Sequence, residues 1–226
     1  MYYSGIYIKR IIKSNRKTCK IEIDNNAEII IRVPIGIKKI EILELVEKNK
    51  NWINKNIIKI QNRSKFVRKY SEGEYFFLLG EKYPLEVEKH TTNSNFKFED
   101  NKFIISETII PYAAKYFENF YKLQAKKILA ERVFLLAQKM GLTINKLRIT
   151  SAKTRWGSCS ASGNINFSWR LVMAPPKVID YVIVHELCHL IELNHSEKFW
   201  NLVKTIMPDY KEHVDYLNKN SIYFIL

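Results

Sequence analysis

The run VIVHELCHLIELNHSEKFW, residues 182–200, sets a His185-Glu186-x-x-His189 pattern inside an apolar stretch. Positions i and i+4 share one face of a helix, so the two imidazoles can meet a single ion. Glu186 is offset from them and can take a proton from an attacking water without filling a coordination position. Val178, Ile179, Val182, Ile183, Leu187 and Leu190 make this helix apolar nearly all round, which predicts burial. Burying two histidines and a carboxylate is costly unless something satisfies them, and a metal does so directly. A catalytic zinc keeps three protein ligands and one open position. His195 is the candidate third ligand, six residues after His189 and beyond a helix expected to run to about residue 193. With no glycine in 190–193, Asn194 would have to make the turn in the left-handed conformation. Glu192, on the same helix as His189, is the alternative third ligand. An H-E-x-x-H pattern alone arises by chance, but three of the five histidines fall within residues 185–195. The expectation is Zn²⁺ held by His185, His189 and His195, with Glu186 as general base.

Upstream of this helix, Pro175 and Pro176 suit a first helical turn. Residues 147–151 and 165–171 read as strands, with the polar bend KTRWGSC (153–159) between them. Residues 112–140 lack internal Gly and Pro and end at Gly141, which predicts one long helix. Downstream, Ser196 caps a further helix closed by Pro208, and Asp209 with Glu212 resembles a capping box for the last one. The first 110 residues look strand-rich: 18–24 alternates, 28–33 is a β-branched run stopped by Pro34, and 75–79 with 83–89 form a hairpin around Gly80. Residues 96–106 hold one or two more strands. One helix is expected over about 40–60, followed by a basic stretch at 63–69. No internal repeat is visible. The fold class is therefore α+β: a strand-rich N-terminal domain with one helix (1–110), then a compact metallohydrolase domain with the metal motif on a buried helix (111–226).

The chain has 226 residues, 46% hydrophobic, enough for a sizeable core. No apolar run approaches bilayer length, so no membrane partner is expected. Three widely spaced cysteines (Cys19, Cys159, Cys188) and a start without an apolar leader point to a cytoplasmic protein. The net charge of +14 comes from 28 Lys and 9 Arg scattered along the chain. It fits either a solvated surface with AT-rich coding bias or a nucleic-acid partner.

The segments TRWGSCS (154–160), GNIN (163–166), IDYVIVHELCH (179–189), NHS (194–196) and FW (199–200) together resemble the YgjP-like metal-dependent hydrolases. That family groups with the zincin-type metallopeptidases and is similar to the SprT/Spartan group. RKT (16–18), IRVP (31–34), WI (52–53) and Leu79-Gly80-x-x-Tyr83 extend the likeness over most of the chain. The resemblance implies zinc at His185, His189 and His195, a catalytic Glu186, and a zincin-like core of a few strands packed on the metal helix. The implied substrate is a peptide or protein, bound as an extended strand beside a sheet edge. Ser168 stands where the family usually has Asn.

Rival readings are a nucleoside-triphosphate pyrophosphatase, a DNA-associated SprT-like protease, and a non-catalytic zinc module with Cys159 as fourth ligand. The first lacks a Gly-rich phosphate loop and a carboxylate cluster for Mg²⁺. Arg155-Trp156-Gly157 either rims the cleft or forms a bend locked by Trp156. Tyr210 is either an oxyanion donor or ordinary packing.

Overall fold

The computed structural model describes residues 1–24, 26–65, 67–90 and 93–226, so the basic stretch at 63–69 lies partly outside the described residues. The chain forms a mixed α+β structure in two compact units, Met1–Val67 and Arg68–Leu226. The boundary therefore falls near residue 67, not at the expected 110. The reason is packing. Residues 75–106 supply Phe76 and Phe103 to the same core as Phe117 of the long helix that follows, with Phe76 and Phe117 stacked at 4.0 Å.

In the first unit, β1 (Tyr2–Tyr3), β2 (Ile6–Ser14), β3 (Lys20–Ile23) and β4 (Ile29–Pro34) form one sheet in the order β1-β2-β4-β3. One face, with Ile8, Ile31 and Val33, is covered by Ile42 and Val46 of α1 (Lys39–Lys48) and Ile53 of α2 (Lys50–Lys65). The single helix expected here is broken at Asn49, whose side-chain amide donates to the Leu45 carbonyl at 2.7 Å. Strand β2 was invisible in the sequence because its register shifts between Ile8 and Arg10, which breaks the alternation of Ile6, Ile8 and Ile11.

The second unit holds β5 (Tyr75–Leu78), β6 (Glu81–Glu88), β7 (Phe96–Glu99) and β8 (Lys102–Ser106) in the order β5-β6-β8-β7. After α3 (Ala113–Lys139) come β9 (Lys146–Thr150), β10 (Gly157–Cys159) and β11 (Asn164–Ser168), ordered β10-β11-β9. One topology thus recurs three times: a strand, a second strand, and a third that lies between them, parallel to the first and antiparallel to the second. Each set is followed by helix. This repetition is one of strand order.

Helix α3 buries Ala113, Phe117, Tyr121, Ala125, Leu129, Val133 and Ala137, a stripe at four-residue spacing that crosses the whole unit. The Tyr121 hydroxyl donates to the Phe77 carbonyl at 2.7 Å, tying helix to sheet. The helix stops as expected: Gly141 takes φ +65°, and the Leu142 and Gly141 amides donate to the Ala137 and Gln138 carbonyls. The turn Leu79-Gly80 has both residues at positive φ. Its amides donate to the Val172 and Met173 carbonyls at 2.8 and 3.1 Å, docking the hairpin onto the short 3₁₀ helix Trp169–Met173. That contact sets the start of α4 (Pro176–Cys188), which α5 (Glu197–Ile206) and α6 (Tyr210–Asn220) follow. The expected capping box at Asp209 is not formed; only its backbone carbonyl accepts, from Glu212.

Candidate metal centre

Helix α4 begins with Pro176 at its first position, where no amide donor is needed. Val178, Ile179, Val182, Ile183, Val184 and Leu187 are all buried, as the composition of the helix required. Asp180 receives a two-pronged hydrogen bond from Arg132 of α3, at 2.6 and 2.7 Å, which fixes the helix lengthwise.

The helix ends sooner than expected, at His189, and the chain leaves through i→i+3 bonds from the Leu190 and Ile191 amides to the Leu187 and Cys188 carbonyls. Tightening the last turn in this way reverses the chain without a left-handed residue, and Asn194 keeps a negative φ. The turn needs no glycine for that reason. Ser196 then caps α5, its hydroxyl accepting from the Phe199 amide at 3.3 Å.

This path brings His195 back. Its Nε2 lies 3.0 Å from Nε2 of His185, and one ligand atom from each of His185, His189 and His195 falls within 4.8 Å of the others. The Glu192 carbonyl can only accept, so His189 donates to it from Nδ1 at 3.0 Å and turns its Nε2 toward the cluster. Glu192 therefore serves the group through its backbone, and its carboxylate is not among the gathered ligand atoms. Neither is Cys159, whose thiol faces the Ser160 carbonyl. Phe199 stacks on His189 at 4.4 Å, and Trp200 lies 5.8 and 5.7 Å from the rings of His185 and His195. Nothing in the sequence pattern marked these two rings as the wall behind the histidines, although they follow His195 closely.

Glu186 is buried, and β10 runs directly over it: a Cβ built on Gly157 would sit 2.5 Å from Oε1. The glycine of the RWGSC segment is thus the place where the main chain makes room for this carboxylate. Burial pushes the Glu186 carboxyl up to about 7, with the Arg155 guanidinium pulling the other way. Burial, then the neighbouring His189 and His195, brings His185 down to about 4, so its ring is neutral. A cavity of about 290 Å³ opens beside Glu186 and His185. Its walls are Trp156, Tyr181, Val182, Val214 and Leu217, with Arg155 among its polar residues. The two α6 residues of this wall carried no signal in the sequence, being nearly thirty positions from the motif. Both readings of the bend at 155–157 hold in part, since half-buried Trp156 packs edge-on against Phe224 while Arg155 and Gly157 border the cavity. Tyr210 stacks between Trp200 and Tyr181, at 5.4 and 6.4 Å.

Three imidazoles gathered at ligand separation are a donor set suited to a divalent ion of zinc-like character. The residues present therefore fit a metal. The buried carboxylate of Glu186, the cavity beside it and β10, an outer strand of the three-stranded sheet, lie next to the histidines. Comparison with known families settles the class. The profile of the YgjP-like metallopeptidase domain matches residues 17–220. The chain belongs to the YgjP-like metallopeptidase family. YgjP-like proteins are metal-dependent peptidases, which accounts for a histidine cluster beside a buried glutamate. No curated protein sequence matches the chain. Among solved structures, the zymogen of the metallopeptidase abylysin from Pyrococcus abyssi is similar at 23% identity, over 40% of this chain and 91% of that one, with a TM-score of 0.37. No helix among the described residues is long and apolar enough to cross a membrane.

Proposed function

We propose that this YgjP-like protein is a zinc peptidase in which His185, His189 and His195 hold the metal and Glu186 is the general base. The observation that carries this reading is the gathering of three imidazoles beside a buried carboxylate, with no fourth side-chain ligand among the described residues. An open coordination position separates a catalytic zinc from a structural one. Zinc supplies Lewis acidity, lowering the pKa of a water and polarising a carbonyl.

The chain's own residues do the rest. Glu186, held against β10 and shielded from bulk water, accepts a proton from the attacking water and returns it to the departing amine. Its raised pKa suits both halves of that task, and a dication close by would draw it back toward the carboxylate form at neutral pH. The Glu192 carbonyl holds His189 in one tautomer. An extended peptide pairs with the outer edge of β10, the strand whose Gly157 packs on Glu186. The adjoining cavity takes one substrate side chain, and its aromatic and aliphatic walls favour a large apolar one. The cytoplasm is the proposed location.

The test is cleavage of a denatured protein by the zinc-loaded enzyme and by Glu186→Gln. The wild type should cut, and the variant should keep its zinc while losing at least about 10²–10⁴-fold in rate. A fully active variant would remove Glu186 from the mechanism. Wild-type enzyme that cuts no peptide would make nucleoside triphosphates the next substrate to assay.

A further inference from the structure

The sheet of the first unit has a second face, and the helices of that unit do not cover it. Register and alternation set its residues. Tyr2 pairs with Tyr7, Arg10 with Ile30, and Lys20 with Arg32, all opposite in phase to the buried Ile8, Ile29 and Ile31. Tyr2 and Tyr7 are 76% and 54% exposed, their ring centroids 5.3 Å apart, on the two strands at one side of this face. Exposing two aromatic rings side by side gives up apolar burial and calls for a ligand with flat, partly apolar surfaces.

The charges beside them identify its sign. Residues 1–67 contain 15 Lys and Arg against 6 Asp and Glu, leaving +9 of the chain's +14 in under a third of its length. Arg10, on the open face, has no carboxylate partner among the described residues. Lys20 and Arg32 share the single carboxylate of Glu22, at 2.9 and 3.0 Å, so two cations there are balanced by one anion.

We infer that the open face of this sheet, Tyr2 and Tyr7 with Arg10, Lys20 and Arg32, binds single-stranded nucleic acid. Bases stack on the two tyrosines while the cations take the phosphates. Aromatic rings on a sheet can reach bases only when these are unpaired, because a duplex hides the base faces and offers only backbone and edges. An acidic protein surface would satisfy the cations and leave the rings without flat partners. Membrane binding would use an amphipathic helix or a polybasic run, whereas here the cations alternate with aromatic and aliphatic side chains on strands.

The experiment is fluorescence anisotropy of the full zinc-loaded chain with labelled oligothymidylate of about 12 nucleotides, a duplex of the same length, and polyglutamate of matched charge. The single strand should bind in a salt-dependent manner and more tightly than either control. Tyr2→Ala with Tyr7→Ala should weaken binding by at least about 30-fold, the loss of two base stacks. Arg10→Gln should lower the slope of log affinity against log salt by about 0.7, the value for one phosphate contact on a single strand. All three side chains are exposed, so the variants should melt with the wild type, which serves as the folding control. Equal binding of duplex or polyglutamate would overturn the inference. So would wild-type affinity in the double tyrosine variant, or no binding at all.

Discussion

Replacing Gly157 by alanine puts a methyl group where Glu186 now lies. The added Cβ would stand 2.5 Å from Oε1, 2.6 Å from Cγ and 2.8 Å from Cδ of that side chain, whereas ordinary contact starts at 3.4 Å. The carboxylate would have to retreat by about 0.6–0.9 Å to relieve this overlap. Gly157 does not adopt a left-handed backbone, so the substitution adds no backbone strain and acts through Glu186 alone. Glu186 is buried, and the space open to it is the cavity that it lines beside His185, so relief of the overlap swings the carboxylate away from its present position. A shift of nearly 1 Å in a catalytic group costs roughly 10²-fold in rate. Overpacking at such a position costs about 1–3 kcal/mol in stability, a fall of several degrees in Tm. Steady-state cleavage of a quenched peptide, with zinc stoichiometry measured on the same samples, separates these effects. The expected result is a kcat lower by about 100-fold with KM changed little and zinc retained. A Gly157→Ala enzyme with wild-type kcat would refute the placement of Glu186 as base against β10.

Other consequences of the structure are equally direct. Gly80→Ala meets Pro175 at 2.7 Å and also places alanine at φ +89°, so it should destabilise the second unit by about 2–4 kcal/mol in chemical denaturation; an unchanged midpoint would contradict the docking of that turn. Glu192→Ala should bind zinc with wild-type affinity, because His189 is oriented by the main-chain carbonyl; a tenfold loss in a competition titration would restore the Glu192 carboxylate as a ligand. Arg132→Ala breaks a partly exposed two-pronged pair and should lower stability by about 1 kcal/mol, or roughly 2–4 °C in Tm; no loss would mean that Asp180 is equally well solvated without it. Leu217→Trp fills the cavity beside Glu186 and should suppress cleavage next to large apolar residues more than next to small ones, read by mass spectrometry of the products; an unaltered cleavage pattern would take the cavity out of substrate selection.

The histidine cluster was legible because its spacing is local. Two of the histidines are four residues apart at the end of one helix, and the third follows within a single turn of chain. What could not be read was the mechanism of that turn, since a helix that tightens through i→i+3 bonds leaves no glycine or left-handed residue as a mark. The strand at Gly157 and the α6 residues Val214 and Leu217 reach the site through tertiary packing, and no periodicity in the sequence joins them to His185. The long helix and most strands followed from their patterns. The unit boundary did not, because Phe76, Phe96 and Phe103 look like the core of an N-terminal sheet until Phe117 and Phe120 are seen packed among them. Strand β2 escaped for a different reason: its bulge shifts the alternation out of phase halfway along.

Zinc K-edge X-ray absorption on the purified protein addresses the site itself. Three imidazole nitrogens at about 2.0–2.1 Å and one light oxygen scatterer are expected, with one imidazole lost in His195→Ala. A sulfur shell near 2.3 Å would mean a cysteine closes the site, and an unchanged spectrum in His195→Ala would mean the third imidazole is not a ligand; either result would contradict an open three-histidine centre.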